Sequence, residues 1–296
     1  MHNAVNGTVI TLEAGDYRAQ LASVGATLVS LTRSGRDLVL PFPATELPTA
    51  YKGKILLPWP NRIEAGRYSY AGVDYQLPVN EVETGSAAHG FVTWLNWEVS
   101  GQGPTSVTFS LFLPPQRAYP FALRLETTYT LDAEAGLVCR VVAENIGEQT
   151  APYGVAVHPY LTCNQAPLDR CLLLVPASSY LEVDENLIPT GEVSVDGTDY
   201  DFRTARTVAD TMIDNAFGQL PPEEWNVDLT DPETAMTVRL TSDERWLQIY
   251  SADQLGRPGV AVEPMSCPPN AFNTGVDVVE LSPGQLSTLS YSIREI

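Results

Sequence analysis

The chain has 296 residues, 44% of them hydrophobic and 18% charged, which is enough apolar material for a large buried core. Its formal charge of −19 repels phosphate backbones and anionic membrane surfaces, so neither nucleic acid nor membrane is expected as a partner. The 9% aromatic content is too high for a disordered chain, and no apolar run reaches the roughly 18 residues of a membrane span.

The first seven residues, Met1 to Gly7, have neither the basic start nor the apolar stretch of a signal peptide, so the expected location is cytoplasmic. Tyr17 to Val24 leans toward period two. Gly66 to Leu77 reads as a hairpin turning at Ala71-Gly72. A strand is predicted at 106–113. From Phe121 to Leu131 the odd positions Leu123, Leu125, Tyr129 and Leu131 are apolar, and the even positions Arg124, Glu126, Thr128 and Thr130 are polar. That alternation is the mark of a half-buried antiparallel strand. Asp132 to Gly136 turns the chain back into a strand at 137–144. Further strands are predicted at 153–158, 170–175, 235–240, 245–251, 259–263 and 285–293. The run Ala205 to Phe217 has room for a helical turn or two, and a carboxyl-rich loop is expected around 228–243. No stretch of about 15 residues carries a 3.6-residue apolar stripe. The expectation is therefore one all-β domain over 1–296, two packed antiparallel sheets too large for an immunoglobulin-size sandwich.

Four islands carry more chemistry than β-packing requires. Pro58-Trp59-Pro60-Asn61-Arg62 fixes an extended segment and gathers an aromatic ring, an amide and a guanidinium, groups that stack on and donate to sugars. An exposed loop with an incidental arginine is the competing reading. His89 precedes Gly90, which suggests close backbone approach, although a satisfied structural histidine would look the same. His158 ends a buried-looking strand before Pro159, a rigid way to present an imidazole to a cleft. Glu263 interrupts an apolar strand before Pro264, and a carboxylate there needs either a partner or a function. Asp214, before Asn215, is also an ordinary capping or turn pattern.

Other schemes fit less well. The sequence lacks the GxSxG, GxxxxGK[ST], GxGxxG-helix and HExxH signatures. Only three histidines are present, His2, His89 and His158, so no His-rich metal site is expected, and the expected cofactor is none. Cys139, Cys163, Cys171 and Cys267 form no CxxC pair and read as buried thiols. A Cys–His pair would draw on Cys163 or Cys267, but neither has a basic neighbour in sequence. A glycosidase would draw its two carboxylates from Glu263 and Asp214.

Taken in order, the islands resemble the aldose 1-epimerase (mutarotase) family over nearly the whole chain. Asn61-Arg62 with Gly66-Arg67-Tyr68 resembles its Asn-Arg, Gly-Arg-Tyr/Phe segment, and Tyr75 to Glu81 its YxLxxN stretch. Ala88-His89-Gly90, His158-Pro159-Tyr160, Ile213-Asp214 and Glu263-Pro264-Met265 resemble its remaining elements. Gly90 is followed by Phe91 where galactose mutarotases usually read His-Gly-Gly, which places the chain in a divergent bacterial-type branch.

The resemblance implies a large antiparallel β-sandwich, the supersandwich. It also implies cofactor-free interconversion of the α and β anomers of a free aldohexose such as glucose or galactose. In that reading Glu263 is the base at the C1 hydroxyl and His158 the acid at O5. Asn61, Arg62, His89, Asp214 and Trp59 bind the sugar. The partner is a small sugar, and the protein is a monomer or a homodimer. The alternatives are a hexose-6-phosphate 1-epimerase, for which Lys52, Lys54, Arg62 and Arg67 are the cations nearby in sequence, and a sugar-binding module without turnover.

Overall fold

A computed structural model describes residues 2–3 and 5–296, with side chains from residue 5 onward. Strands dominate. The one α-helix among the described residues is the four-residue Ala271–Thr274, and no helix there is long and apolar enough to cross a membrane.

The largest sheet is antiparallel and nine-stranded. It runs, edge to edge, through Glu98–Gln102, Ser106–Leu113, Leu123–Asp132, Gly136–Asn145, Leu286–Glu295, Met236–Ser242, Trp225–Asp231, Leu172–Leu174 and Arg206–Thr207. Leu123–Asp132 buries Leu123, Leu125, Thr127, Tyr129 and Leu131 on one face and exposes Arg124, Glu126, Thr130 and Asp132, as its alternation predicts. The predicted turn at its end forms because the Asp132 carboxylate accepts the backbone N–H groups of Glu134 and Ala135, each at 2.8 Å.

A second sheet of eight strands includes Ser179–Val183, Asp214–Gly218, Trp246–Tyr250, Val260–Met265 and Ala156–Val157 in that order, with Ile55–Leu56 at its edge. A five-stranded sheet forms from the N-terminal segment through Arg36–Asp37. One continuous apolar cluster draws side chains from all three, among them Leu21 and Leu31, Leu229 and Ile293, and Ile249 and Val262. Most of the predicted strands are present to within a few residues.

Three expectations are corrected. The stretch 153–158 is not one strand: it breaks at Gly154-Val155 between Ala151–Tyr153, which pairs with Val279–Leu281, and Ala156–Val157. Residues 205–217 form no helix. They hold the short strand Arg206–Thr207 and the start of Asp214–Gly218, whose pairing on both edges to Ser179–Val183 and Trp246–Tyr250 overrides local propensity. The carboxyl-rich stretch 228–243 is a hairpin rather than a loop. Asp228 faces Arg239 across it and takes two hydrogen bonds from the guanidinium at 2.7 Å, so these charges are cross-strand structure.

The strand Val260–Met265 is buried at every position, unlike the alternating strands of the larger sheet. Val260 and Val262 enter the main core. Ala261 and Met265 point the other way into two smaller apolar clusters. Glu263 lies between those two on the same face, so the outer face of this sheet is roofed by loops, and a polar residue placed on it looks into whatever space the loops leave.

Candidate active site

Three neighbouring strands place three polar side chains on that outer face. Gln248 of Trp246–Tyr250 stands opposite Glu263, and Asp214 stands at the start of the next strand over, opposite Tyr250. The Gln248 amide donates to Asp214 at 2.7 Å. Gln248 was not among the residues singled out from the sequence. Its signal is nevertheless the one that marked Glu263: a polar residue inside an apolar strand, Trp-Leu-Gln-Ile-Tyr.

His158 follows Ala156–Val157 and is held by its backbone: its N–H donates to the Lys54 carbonyl at 3.0 Å, and its carbonyl accepts from Gly53 at 2.8 Å. Its ring lies nearly parallel to Tyr160, 5.2 Å away, and its Nε2 is 3.3 Å from Glu263 Oε1. His89 comes from the other side of the space, its ring centroid 5.6 Å from that of His158 and 4.4 Å from that of Tyr51. The expected close approach at Gly90 is real. Its φ is +68°, and a Cβ there would fall 1.9 Å from the Leu57 carbonyl oxygen.

Arg62 is almost fully enclosed and forks onto Glu81, with Nε at 2.5 Å and Nη2 at 2.9 Å from the two carboxylate oxygens; Nη2 is also 4.0 Å from Asp214. Asn61 supports Arg62, accepting from its backbone N–H at 2.9 Å. Together Asn61, Arg62, His89, His158, Asp214 and Glu263 line one cavity of about 330 Å³, with Tyr51, Glu81, Tyr160 and Gln248. Tyr51 ends the short 3-10 helix Thr49–Tyr51 and Glu81 lies outside the named strands, and no periodicity in the sequence marks them.

Trp59 is the exception among the proposed sugar contacts. Its ring is buried edge-on to Phe91 at 4.8 Å, its Nε1 donates to the Ala87 carbonyl, and it does not line the cavity. The expected consequence of Trp59→Ala is a loss of roughly 3–5 kcal/mol in stability, the usual cost of emptying a buried aromatic site. Denaturant titration measures that loss. Kinetics on the folded fraction should return the wild-type KM, whereas a raised KM with unchanged stability would restore Trp59 to the sugar site.

The thiols lie away from this cavity. All four cysteines are buried and free, none lines the cavity, and burial pushes the Cys267 thiol up to about 12. No group of three or more His, Cys, Asp or Glu side chains among the described residues is arranged to hold a metal ion.

Burial sets the electrostatics. Desolvation pushes the Glu263 carboxyl well above its usual range, with Asp214 adding to the rise and Arg62 opposing it. Desolvation likewise holds the His158 imidazole well below its usual value, and His89 and Arg62 add to the depression. Both shifts favour the uncharged forms of the two groups, whose Nε2 and Oε1 stand 3.3 Å apart. His89 is held down to about 3 by burial and by Arg62. Burial also raises Asp214 against the pull of Arg62 and Gln248. Four buried polar atoms on residues lining this space, His89 Nδ1, His158 Nδ1, Gln248 Oε1 and Glu263 Oε2, have no hydrogen-bond partner among the described residues. Such atoms suit a ligand rich in hydroxyl groups.

The histidines make the fold acid-sensitive. An unfolded His89 takes up a proton below its ordinary value of 6.5, while the folded one stays neutral down to about 3. The unfolded state thus binds more protons in that window, and stability is lost as pH falls through it, by up to about 1.4 kcal/mol per pH unit. His89→Asn is expected to flatten the fall in melting temperature between these pH values. A variant curve parallel to wild type would refute the assignment.

A family model described as aldose 1-epimerase matches residues 8–294. The chain is 45% identical over 288 residues to the Escherichia coli (strain K12) protein YihR, described as uncharacterized, covering 97% of this chain and 93% of that one. It is 32% identical over 216 residues to galactose mutarotase of Homo sapiens, covering 67% of this chain and 61% of that protein. Among solved structures, an aldose epimerase homologue from C. elegans superimposes with a TM-score of 0.87 at 22% identity, over 98% of both chains. A galactose 1-epimerase from Lactobacillus acidophilus does so with a TM-score of 0.83 at 20% identity, over 97% of this chain and 94% of that one.

Proposed function

The chain belongs to the aldose 1-epimerase family, and from that premise we propose that it interconverts the α and β anomers of a free aldohexose by opening and reclosing the pyranose ring. The observation that carries the reading is the buried contact of His158 Nε2 with Glu263 Oε1, 3.3 Å apart on the cavity wall.

Ring opening requires that the C1 hydroxyl lose a proton, that the C1–O5 bond break with its electron pair passing to O5, and that O5 gain a proton. Glu263 as carboxylate takes the C1 hydroxyl proton. His158 as imidazolium donates to O5. These charged forms are the proton-shifted tautomer of the neutral resting pair, so no proton has to come from solvent. After the step Glu263 is a carboxylic acid and His158 a neutral imidazole. Once the aldehyde has rotated about C1–C2, the same two groups run the step backward: Glu263 returns the proton to the carbonyl oxygen as O5, deprotonated by His158, attacks C1 from the other face. The resting pair and the ionised pair are the two ends of one reversible cycle. His89, Gln248 and Arg62 hold ring hydroxyls. Asp214, two strands from Glu263, accepts from hydroxyls distal to C1.

The cavity supports an uncharged sugar over a phosphorylated one. Arg62 is its one lining cation and is committed to Glu81, while Glu81, Glu83, Asp214 and Glu263 also line it. The other cations nearby in sequence do not reach it. Lys54 is buried with Nζ 2.9 Å from the Val24 carbonyl and 4.7 Å from the centre of the Trp94 ring, and Arg67 pairs with Gln76 on an exposed hairpin. Polarimetry on freshly dissolved α-glucose, α-galactose and glucose 6-phosphate tests this. Faster equilibration of a free hexose is the expected result. Acceleration of the phosphorylated sugar alone would overturn the substrate class, and inertness on all three would overturn the reading.

A further inference from the structure

Glu81 is locked in place by its own turn as well as by Arg62. Its backbone N–H and carbonyl both bond to Ser86 across that turn, at 3.2 and 3.1 Å. The Thr84 hydroxyl, inside the turn, donates to Glu81 Oε2. The preceding residue, Asn80, clamps the backbone of Ala88, accepting from its N–H at 2.7 Å and donating to its carbonyl at 2.9 Å. Ala88 in turn stands opposite Arg62 where Ala87–Ala88 pairs with Arg62–Ile63. The turn that carries Glu81 is thereby registered to the strand that carries Arg62.

The fork takes one edge of the guanidinium, Nε and Nη2. Nη1 has only a longer bond of 3.4 Å, to Asn61 Oδ1, and so retains N–H for a sugar hydroxyl. A free arginine side chain has many rotamers, and a carboxylate bound to two of its nitrogens fixes one of them. The fork is also a charge balance. The Arg62 side chain is 11% exposed and that of Glu81 22%, so solvent screens neither charge well. Besides Glu81, the carboxyls of Asp214 and Glu263, the imidazoles of His89 and His158 and the phenols of Tyr51 and Tyr250 stand within reach of the Arg62 charge, and Glu83 completes the charged lining of the cavity. Burial dominates at His158 and Glu263, and Arg62 pulls both downward. Glu81 is the carboxylate nearest to Arg62, with Asp214 4.0 Å away. We propose that Glu81 is a positioning residue, which aims Arg62 at the sugar and offsets its charge beside Glu263 and His158. The proposal rests on the epimerase reading of the cavity and adds to it a residue that acts through Arg62.

The test follows anomer exchange of glucose or galactose, whichever wild type accelerates more, as a function of pH in wild type, Glu81→Gln and Glu81→Asp. Glu81→Gln keeps the shape and loses the charge. It should lower kcat/KM roughly tenfold, mostly through KM. It should also move both limbs of the pH profile to lower pH, because an uncompensated positive charge disfavours the protonated forms around it. Glu81→Asp keeps the charge on a side chain one methylene shorter than the fork needs, so KM should rise while the limbs stay where wild type has them. Combining Glu81→Gln with Arg62→Met should cost no more than Arg62→Met alone, since Glu81 acts through Arg62. Melting temperatures separate these effects from a loss of folded protein. An unchanged kcat/KM in Glu81→Gln, limbs that stay fixed in that variant, or losses that add to those of Arg62→Met each overturn the proposal and leave the epimerase reading intact. Inertness of wild type on every free hexose overturns the epimerase reading and this proposal with it.

Discussion

Replacing Glu263 by Gln should lower kcat/KM for anomer interconversion roughly 10²–10⁴-fold, the usual worth of a positioned base, and leave the protein at least as stable as wild type. The two effects have one cause. Glu263 sits in a fully buried strand, 2% exposed, with Oε2 unpartnered among the described residues. Holding a carboxyl there costs folding free energy that an amide of the same shape does not. The cost depends on pH with a definite sign. Above the ordinary carboxyl value of 4.5 the unfolded chain releases the Glu263 proton while the folded one keeps it. The folded state then binds more protons, and wild-type stability declines relative to the Gln variant as pH rises from there toward the folded value. Melting curves of both proteins across that range, beside polarimetric rates, check both halves. A variant that is less stable than wild type, with a rate loss matching its unfolded fraction, would make Glu263 a structural residue.

The second large effect concerns His158. An imidazole acting as an ordinary exposed acid would show its activity changing around 6.5. Here burial holds His158 well below that value, so kcat/KM should stay level as pH falls through it. The acid limb should lie well below, where the pair takes up a second proton. The alkaline limb should appear where the pair gives up its one proton and His158 has none to donate to O5. His158→Gln should cost a similar factor of roughly 10²–10⁴. Combining it with Glu263→Gln should cost little more than either alone, because the two groups exchange one proton and act as a unit. A midpoint at 6.5 would show His158 titrating freely with solvent, and additive losses would separate the two roles.

What could be read from the sequence follows from where the physics is local. Leu123–Asp132 and its turn at Asp132 were legible because alternation and an Asx turn are local signals. Glu263 and His158 stood out because a charged or titratable group within or at the end of an apolar strand violates the burial pattern. Gln248 breaks the same pattern, but a neutral amide attracts less notice than a carboxylate. Glu81 could not be seen, since its meaning lies in a fork with Arg62, 19 residues away in the chain. Trp59 was misplaced for a related reason. Between two prolines the backbone has no period, so the sequence does not say which side the ring faces, and the contacts with Phe91 and Phe272 decide it. The helix expected within 205–217 failed because the strand Asp214–Gly218 is fixed by neighbours distant in sequence, and that strand carries Asp214 into the site.

In the proposed reaction the C1–O5 bond breaks while the C1–O1 bond stays whole. The most direct measurement uses glucose labelled with heavy-isotope oxygen at C1 and follows both anomer exchange and label loss by NMR, with and without the protein. The protein should accelerate α–β exchange with no matching acceleration of label loss, and Glu263→Gln should abolish the acceleration. Label lost to water in step with anomer exchange would mean that C1–O1 is cleaved, as in a glycosidase using Glu263 and Asp214, and would overturn ring opening as the reaction.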